Sequence, residues 1–361
     1  MAFLAVLVGE SNSSSGSSSS NDTIITVEEN TLDAAINLAN RTINKNIDLS
    51  HCEVIVISEE LSKKGISNYI YTLQNNIQIR PNTYLVISKQ DSKSFLENSS
   101  PVFESITSKY YQIIPTTAKN TGYTDEVTLK DFYNGLNDYY RQSYAILGKI
   151  NKEESHKKND STNSSNTNSL SNDNSTNNDK SKGDNIEMVG LAVFNSDVLV
   201  GELNEEETIC HLLLINKLDN CVVTFPNPLD ITSNIDIKIQ MEKNTKNKVK
   251  FINSSPYITS NITLSARILS INNNSDYLNN DNLKIIENYL NLYLENQITK
   301  YLYKTSKEFH SDIVGFGKYA VYHFSNLNNF NNYNWLDNYK NAFFKINVNS
   351  KVKSTYLLLD S

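Results

Sequence analysis

The stretch Val189-Gly190-Leu191-Ala192-Val193-Phe194-Asn195-Ser196-Asp197-Val198-Leu199-Val200-Gly201-Glu202-Leu203-Asn204-Glu205-Glu206-Glu207-Thr208 decides how the chain is read. Val189 to Phe194 is apolar and β-prone, Asn195-Ser196-Asp197 is turn chemistry, and Val198 to Val200 is apolar again. Gly201 permits a change of direction, and Asn204 is a good N-cap. Glu205, Glu206 and Glu207 fall in the first helical turn, where free N–H groups and the macrodipole favour negative charge. Ile209, Leu212, Leu213 and Ile215 carry the helix on. The order is strand, tight turn, strand, helix, and it names no chemistry.

Downstream, Cys221 to Phe225 reads as a strand. Ile235, Ile237 and Ile239, then Ile262, Leu264, Ala266 and Ile268, alternate with polar residues as half-exposed strands do. Asp281 opens a long helix over 282–310, with Ile286, Tyr289, Leu290, Tyr293, Leu294, Ile298, Tyr301, Leu302 and Phe309 as its apolar stripe. Phe344, Ile346, Val348, Ser350 and Val352 alternate along a closing strand.

Upstream, 151–185 holds a single apolar residue, Leu170, among Asn, Ser, Asp and Lys, and cannot bury enough surface to offset its ordering entropy. It reads as a disordered linker. Ser11 to Asp22 has no apolar residue and reads as a flexible loop. Ala2 to Val8 and Ile24 to Val27 read as strands, with a helix after Asn30 or Thr31. Val54 to Ile57 and Tyr84 to Ile87 are continuous apolar runs of the kind found in buried central strands. Ser58, Asp91 and Thr128 cap helices, and Gly65 ends a turn at a C′-like position. Strands alternating with helices predict an α/β layer in this half. For the whole chain the expectation is α+β and multi-domain, with mixed sheets flanked by helices and a long C-terminal helix. Its parts are 1–150, the linker 151–185, and 186–361.

Several motifs together resemble the Ger(x)C family, the C subunits of nutrient-germinant receptors of bacterial spores. The opening stretch is similar to the start of that family's C-terminal domain. Thr31-Leu32-Asp33-Ala34-Ala35 and His51-Cys52-Glu53-Val54-Ile55-Val56-Ile57-Ser58-Glu59-Glu60-Leu61, followed by Lys64-Gly65-Ile66, resemble blocks of its N-terminal part, as does Gln78-Ile79-Arg80-Pro81. Ser311-Asp312-Ile313-Val314-Gly315-Phe316-Gly317 resembles its Asp-x-x-Gly-Phe-Gly signature. The family's intervening Tyr/Phe-Pro is absent and only Trp335 remains in an Asn-rich segment. The resemblance implies an extracytoplasmic lipoprotein on the outer face of the spore inner membrane, working with membrane-embedded A- and B-type subunits in nutrient-triggered germination. It marks His51, Glu59, Gly65, Gly190, Phe194, Gly201, Glu205, Glu206, Glu207, Asp312, Gly315 and Gly317 as motif residues for folding or docking. Met1 to Val8 is apolar but carries neither a basic n-region nor a small-residue site followed by Cys, so it reads as neither signal peptide nor lipobox. A fragment, a mis-assigned start and a departure from the family all fit that reading.

No catalytic, cofactor-binding or metal-ligating set emerges. Successive glutamates at 205–207 point about 100° apart on a helix, and no acid–base partner stands at a suggestive spacing. His310 and Asp312 straddle a helix end with no third group to orient the imidazole, and His51 reads as a hydrogen-bonded structural residue. Gly315-Phe316-Gly317 lacks the Lys-Ser/Thr of a phosphate loop and reads as close helix packing around a buried Phe316. Cys52, Cys210 and Cys221 have no metal-like spacing and read as buried thiols, with a Cys210–Cys221 disulfide left open. No run of 18 apolar residues exists to span a bilayer. Composition adds little: 361 residues, 33 basic against 40 acidic, net charge −7, and no Lys/Arg cluster interleaved with aromatics, which makes nucleic acid an unexpected partner. The alternative is a lipoprotein that captures the germinant or another solute in a Tyr- and Asn-rich pocket between its domains.

Overall fold

The computed structural model describes residues 2–8, 23–42, 47–98, 107–151, 185–230, 232–271 and 279–353. Most of 151–185 and all of 11–22 lie outside them, so the linker and loop expectations fall beyond the described residues.

The chain opens with β1 (Ala2–Val8) paired antiparallel to β2 (Thr23–Glu29). Helix α1 (Leu32–Thr42) follows, and its Ala35 and Ala39 form a small core with Val27 and Ile47. The next strand, β3 (Val54–Ser58), leads through the short helix α2 (Glu59–Ser62) into α3 (Ser67–Asn75). Strand β4 (Tyr84–Ser88) is followed by α4 (Ser92–Glu97), α5 (Thr107–Thr116), α6 (Ala118–Thr121), α7 (Leu129–Leu136) and β5 (Tyr144–Asn151). Ser58, Asp91 and Thr128 all accept from the third residue of their helices, as their side chains predict, and Thr128 with Asp131 completes a capping box.

β6 (Asn185–Asn195) and β7 (Val198–Leu203) form the expected hairpin, and α8 (Glu205–Ile215) follows with Asn204 as N-cap. These strands complete a five-stranded mixed sheet of order β3-β4-β5-β6-β7, parallel through β5 and antiparallel after it. The sheet therefore takes strands from both sides of 151–185. Val54 to Ile57 is its edge, with Val54, Ile55 and Val56 half-buried and Ile57 buried, not a central strand. The continuous apolar run reflects packing on both faces, which an edge strand under helices also experiences.

The second sheet has the order β11-β10-β9-β8, from β8 (Asn220–Pro226), the long hairpin β9 (Asn234–Ile252) and β10 (Ser255–Ile271), and β11 (Phe343–Lys353), parallel to β10. Its inner side chains, among them Ile235, Ile237, Ile239, Leu264 and Ile268, share one core with Ile286, Leu290, Leu294 and Ile298 of α9 (Asn280–Tyr303). Asn279, not Asp281, caps α9; Asp281 sits one residue inside, and its own N–H donates to the Asn279 side chain. The helix also covers the sheet's open edge: Glu287, Asn291 and Glu295, one turn apart, accept from the backbone N–H groups of Val352, Ser350 and Val348. After Tyr303 the α-helix gives way to a π turn over Lys304–Glu308. The remaining helices α10 (Gly317–Ala320), α11 (Leu327–Tyr333) and α12 (Trp335–Asn338) close the core before β11. Among the described residues no helix is long and apolar enough to cross a membrane.

Candidate functional site

Gly65, Phe194 and the Ser311–Asp312 segment meet at the β6–β7 turn, while His51, Glu59 and the three glutamates 205–207 lie elsewhere. Ser196 takes φ 55°, and Asp197 beside it reaches across to the N-terminus of α3. The Asp197 carbonyl accepts from Ile66 N–H at 3.1 Å, and its carboxylate accepts from Ser67 N–H at 3.2 Å. Ile66 itself gives α3 no side-chain cap, so the hairpin supplies one from 130 residues away. Gly65 stands at φ +98°, a conformation that strains any other residue, and a β-carbon there would lie 2.9 Å from Asp197 Oδ2. The Lys64-Gly65-Ile66 block and the hairpin turn are one physical unit.

A third segment closes the junction. Ser311 Oγ donates to Phe194 O at 2.6 Å, Asn195 Nδ2 donates to His310 O at 3.4 Å, and Gln142 N–H donates to Asp312 O at 2.9 Å. Gln142 also accepts from Ser196 N–H at 2.7 Å through its side-chain oxygen. Phe194 is fully buried, edge-on to Phe132 at 4.8 Å. Gly201 sits beside a bulge in the β6–β7 pairing, where Val193 faces Gly201 but Phe194 faces Leu199. It lies inside β7, where a β-carbon would come within 2.3 Å of the Phe309 ring, so its role is to leave room for that ring. Gly190, at φ +89°, has Leu203 O 2.3 Å from its missing β-carbon.

Asp312 is the site's buried charge. Its carboxylate accepts from Gly315 N–H at 2.8 Å, Gly317 N–H at 3.1 Å and Trp335 Nε1–H at 2.8 Å. Burial pushes its pKa up to about 6, against those donors and the Phe316 amide, which pull it down. The Gly-Phe-Gly motif is therefore an amide nest around a carboxylate of the chain itself, with Phe316 buried beneath. Gly317 has no space for a side chain, with Tyr140 O 2.5 Å from where a β-carbon would stand. Trp335, the chain's single tryptophan, is the third donor. His310 is exposed at φ 49° and makes no pair with the buried Asp312.

The three glutamates separate. Glu207 accepts from Asn204 N–H and holds Lys304 Nζ at 2.7 Å, while Glu205 and Glu206 are exposed. Lys304 also donates to Glu202 O, which ties the π turn to the end of β7. His51 is exposed in the turn before β3, near Asp48, and is not the hydrogen-bonded residue the sequence suggests. Glu59 makes an ion pair with Lys63 on α2. All three cysteines are free, and burial raises each thiol pKa, to about 11 for Cys52 and about 12 for Cys221, so none is a poised thiolate. Among the described residues no three of His, Cys, Asp and Glu gather as a metal site.

Sequence reasoning missed a second polar cluster beside the junction. Buried Asp125 accepts from Tyr144 Oη–H and Lys217 Nζ, both at 2.7 Å. Tyr144 packs edge-on against His211, whose Nδ1 lies 2.8 Å from Tyr301 Oη. Burial lowers the His211 pKa to about 3, so the ring is neutral. These residues come from four separate segments, and no spacing in the chain announces them. Beside them opens a cleft of about 430 Å³, lined by Arg141, Lys217 and Lys318 together with Asp131, Asp138 and Tyr140. Arg141 is paired with Asp138 at 3.4 Å, and Lys217 with Asp125.

Residues 2–150 match the family described as spore germination protein N-terminal domain, and residues 189–356 match spore germination B3/GerAC like, C-terminal. The chain belongs to the Ger(x)C family. The Ger(x)C relatives include spore germination protein GerQC of Bacillus cereus, 22% identical over 85% of this chain and 75% of that one. Spore germination protein KC of Bacillus subtilis (strain 168) is 21% identical over 81% and 69%. The crystal structure of the GerBC protein matches with a TM-score of 0.57 at 16% identity, covering 98% of this chain and 97% of that chain, a likeness of fold. The junction described above joins the two family-matched segments of this Ger(x)C chain: Gly65 comes from the first, the hairpin turn and Asp312 from the second.

Proposed function

We propose that this chain is a non-enzymatic subunit of a spore nutrient-germinant receptor, acting with membrane-embedded A- and B-type subunits in nutrient-triggered germination. It would be lipid-anchored at the outer face of the spore inner membrane. Residues 1–150 and 186–361 would be its two domains, sharing the five-stranded sheet, and 151–185 the linker between them. The carrying observation is the use to which the motif residues are put. Gly65, Gly190, Gly201 and Gly317 make room for neighbouring atoms, Glu207 and Asp197 cap helices, and Asp312 is consumed by donors of its own chain. Gly65 with Asp197, and Gly317 against Tyr140, hold the two family-matched segments together, and the others fix the second segment internally, which suits a subunit that transmits a signal through its shape. Two family segments matched in order, and relatives described as spore germination proteins, support the same reading.

The test is genetic. Spores lacking this chain and every paralogous C subunit should lose nutrient-induced germination, read as the fall in optical density, while keeping germination by nutrient-independent triggers. Normal nutrient germination in that strain would sink the proposal.

The cleft favours a second reading, direct capture of a small solute. Its lining holds Tyr140 and Tyr144 but no Asn, so it differs from the Tyr- and Asn-rich pocket expected from sequence, and its cations Arg141, Lys217 and Lys318 stand with the acids Asp131 and Asp138. Calorimetry with amino acids, sugars and nucleosides separates the readings: a micromolar heat that disappears in Arg141→Ala supports capture, and none with any of them removes it.

A further inference from the structure

The outer face of the four-stranded sheet carries an unusual charge. Strands β8 to β11 contain nine basic residues, Lys238, Lys243, Lys246, Lys248, Lys250, Arg267, Lys345, Lys351 and Lys353, against two acids, Asp236 and Glu242. The chain as a whole has the opposite balance, 33 basic to 40 acidic. All nine are exposed, and none forms an ion pair with a described residue. Strand periodicity puts them together, because residues two apart share a face.

The register makes the crowding costly. Arg267 lies directly opposite Lys238 on one neighbouring strand and Lys353 on the other, and Thr259 stands between Lys248 and Lys345. Like charges facing each other across strands destabilise a sheet. Fold stability alone does not account for such a row, so the charge answers to something outside the fold.

The same face also carries the sheet's exposed large apolar side chains: Val222, Ile252, Tyr257, Leu269 and Phe343. Tyr257 and Phe343 stack at 4.8 Å, next to Lys250 in register.

We propose that this face docks on an anionic lipid bilayer, with the lysines over the headgroups and the aromatic pair at the polar–apolar boundary. Three features favour lipid over a protein or nucleic acid. Lysine is depleted from the cores of protein–protein interfaces, yet eight of the nine cations here are lysines. The cations stand as separate point charges on flexible stems, without the paired forks that read phosphodiester or base geometry, so they suit a laterally mobile surface. Exposed aromatic side chains among cations are the composition found at membrane–water boundaries. The inference needs no germinant and no partner subunit, so it stands or falls apart from the receptor proposal.

Flotation of the purified full chain with vesicles is the experiment. Vesicles of phosphatidylcholine with 40 mol% phosphatidylglycerol would be compared with pure phosphatidylcholine, at low salt and at 0.5 M salt. Partitioning should be at least about tenfold stronger on the anionic vesicles and should collapse at 0.5 M, where screening falls to a few ångströms. The variant Lys246→Gln/Lys248→Gln/Lys250→Gln should lose most of it, and Lys345→Gln/Lys351→Gln/Lys353→Gln, on a different strand, should do the same. Lys63→Gln/Lys64→Gln, on α2, should bind as the parent does. Equal binding to both vesicles, binding unchanged in both sheet variants, or tighter binding to double-stranded DNA or to polyglutamate than to anionic vesicles would each overturn the proposal.

Discussion

The junction around the β6–β7 turn and the outer face of the four-stranded sheet use polar residues in opposite ways. At the junction Asp312, Asp197, Gln142 and Ser311 are each tied to named donors or acceptors, most of them out of water. On the sheet, nine cations project into solvent without an ion pair among the described residues. A polar group removed from water must be satisfied by the fold, so it reports on folding. A polar group left in water at a cost to its neighbours reports on something else. Substitutions should therefore be severe at the junction and nearly silent for stability on the sheet, and the contrast fails if the two regions respond alike.

The largest effect is expected at Gly190. A valine there must adopt φ +89° and place its β-carbon where Leu203 O now lies, 2.3 Å away. Left-handed strain and overpacking each cost about 1–3 kcal/mol, so Gly190→Val should lose roughly 4 kcal/mol or fail to fold. Urea denaturation followed by circular dichroism measures it; a loss below 1 kcal/mol would mean the β6–β7 pairing is looser than described.

Asp312 comes next. Asp312→Ala would strand the Gly315, Gly317 and Trp335 N–H donors in the core, and at about 1–3 kcal/mol for an unsatisfied buried group the loss should be about 3 kcal/mol. Acid sharpens the test. The Asp312 pKa is raised from 3.8 to about 6, so the native state binds this proton more readily than the unfolded chain, and native stability gains as pH falls from 6 to 3.8. His211 works the other way: lowered from 6.5 to about 3, it takes up a proton first in the unfolded chain, and stability is lost as pH falls through that window. Between pH 6 and 3.8 the two oppose each other. Asp312→Asn keeps the shape and removes one arm, so its acid loss should be steeper than the parent's by about 3 kcal/mol over that range. Parallel curves for parent and variant would show that Asp312 does not titrate there.

How much of this was legible beforehand follows from range along the chain. Caps at Ser58, Asp91, Thr128 and Asn204 depend on neighbours three residues away, and each was readable from its side chain. So were the alternating faces of β9, β10 and β11. Long-range partners were not. That Gly201 leaves room for the Phe309 ring was not readable, because Phe309 is over a hundred residues distant. The Asp125–Tyr144–Lys217 cluster has no local signature. The basic face escaped a search for clustered Lys and Arg, since alternation in β9 dilutes it and β10 and β11 bring the rest from afar.

Asp197 offers a smaller and cleaner measurement of the long-range cap. Asp197→Ala removes the carboxylate that serves Ser67 N–H but leaves the Asp197 carbonyl on Ile66 in place. A lost N-cap costs about 1 kcal/mol, and hydrogen exchange should quicken in the first turn of α3 rather than in β6 or β7. Faster exchange confined to the hairpin would show that the turn stands without α3 and that the two motif blocks are not one unit.

The smallest expected change completes the contrast. Lys248→Gln leaves an exposed position whose cross-strand neighbour is Thr259, with Lys345 beyond it. Surface substitutions away from specific contacts stay within about 0.5 kcal/mol, and relieving repulsion between Lys248 and its cationic neighbours should put this one on the stabilising side, growing as salt is lowered. The sign is what matters. A destabilisation of 1 kcal/mol or more would mean that Lys248 holds a contact within the fold, and the reading of this face as charge kept for an external surface would lose its support at the residue where it is most exposed to test.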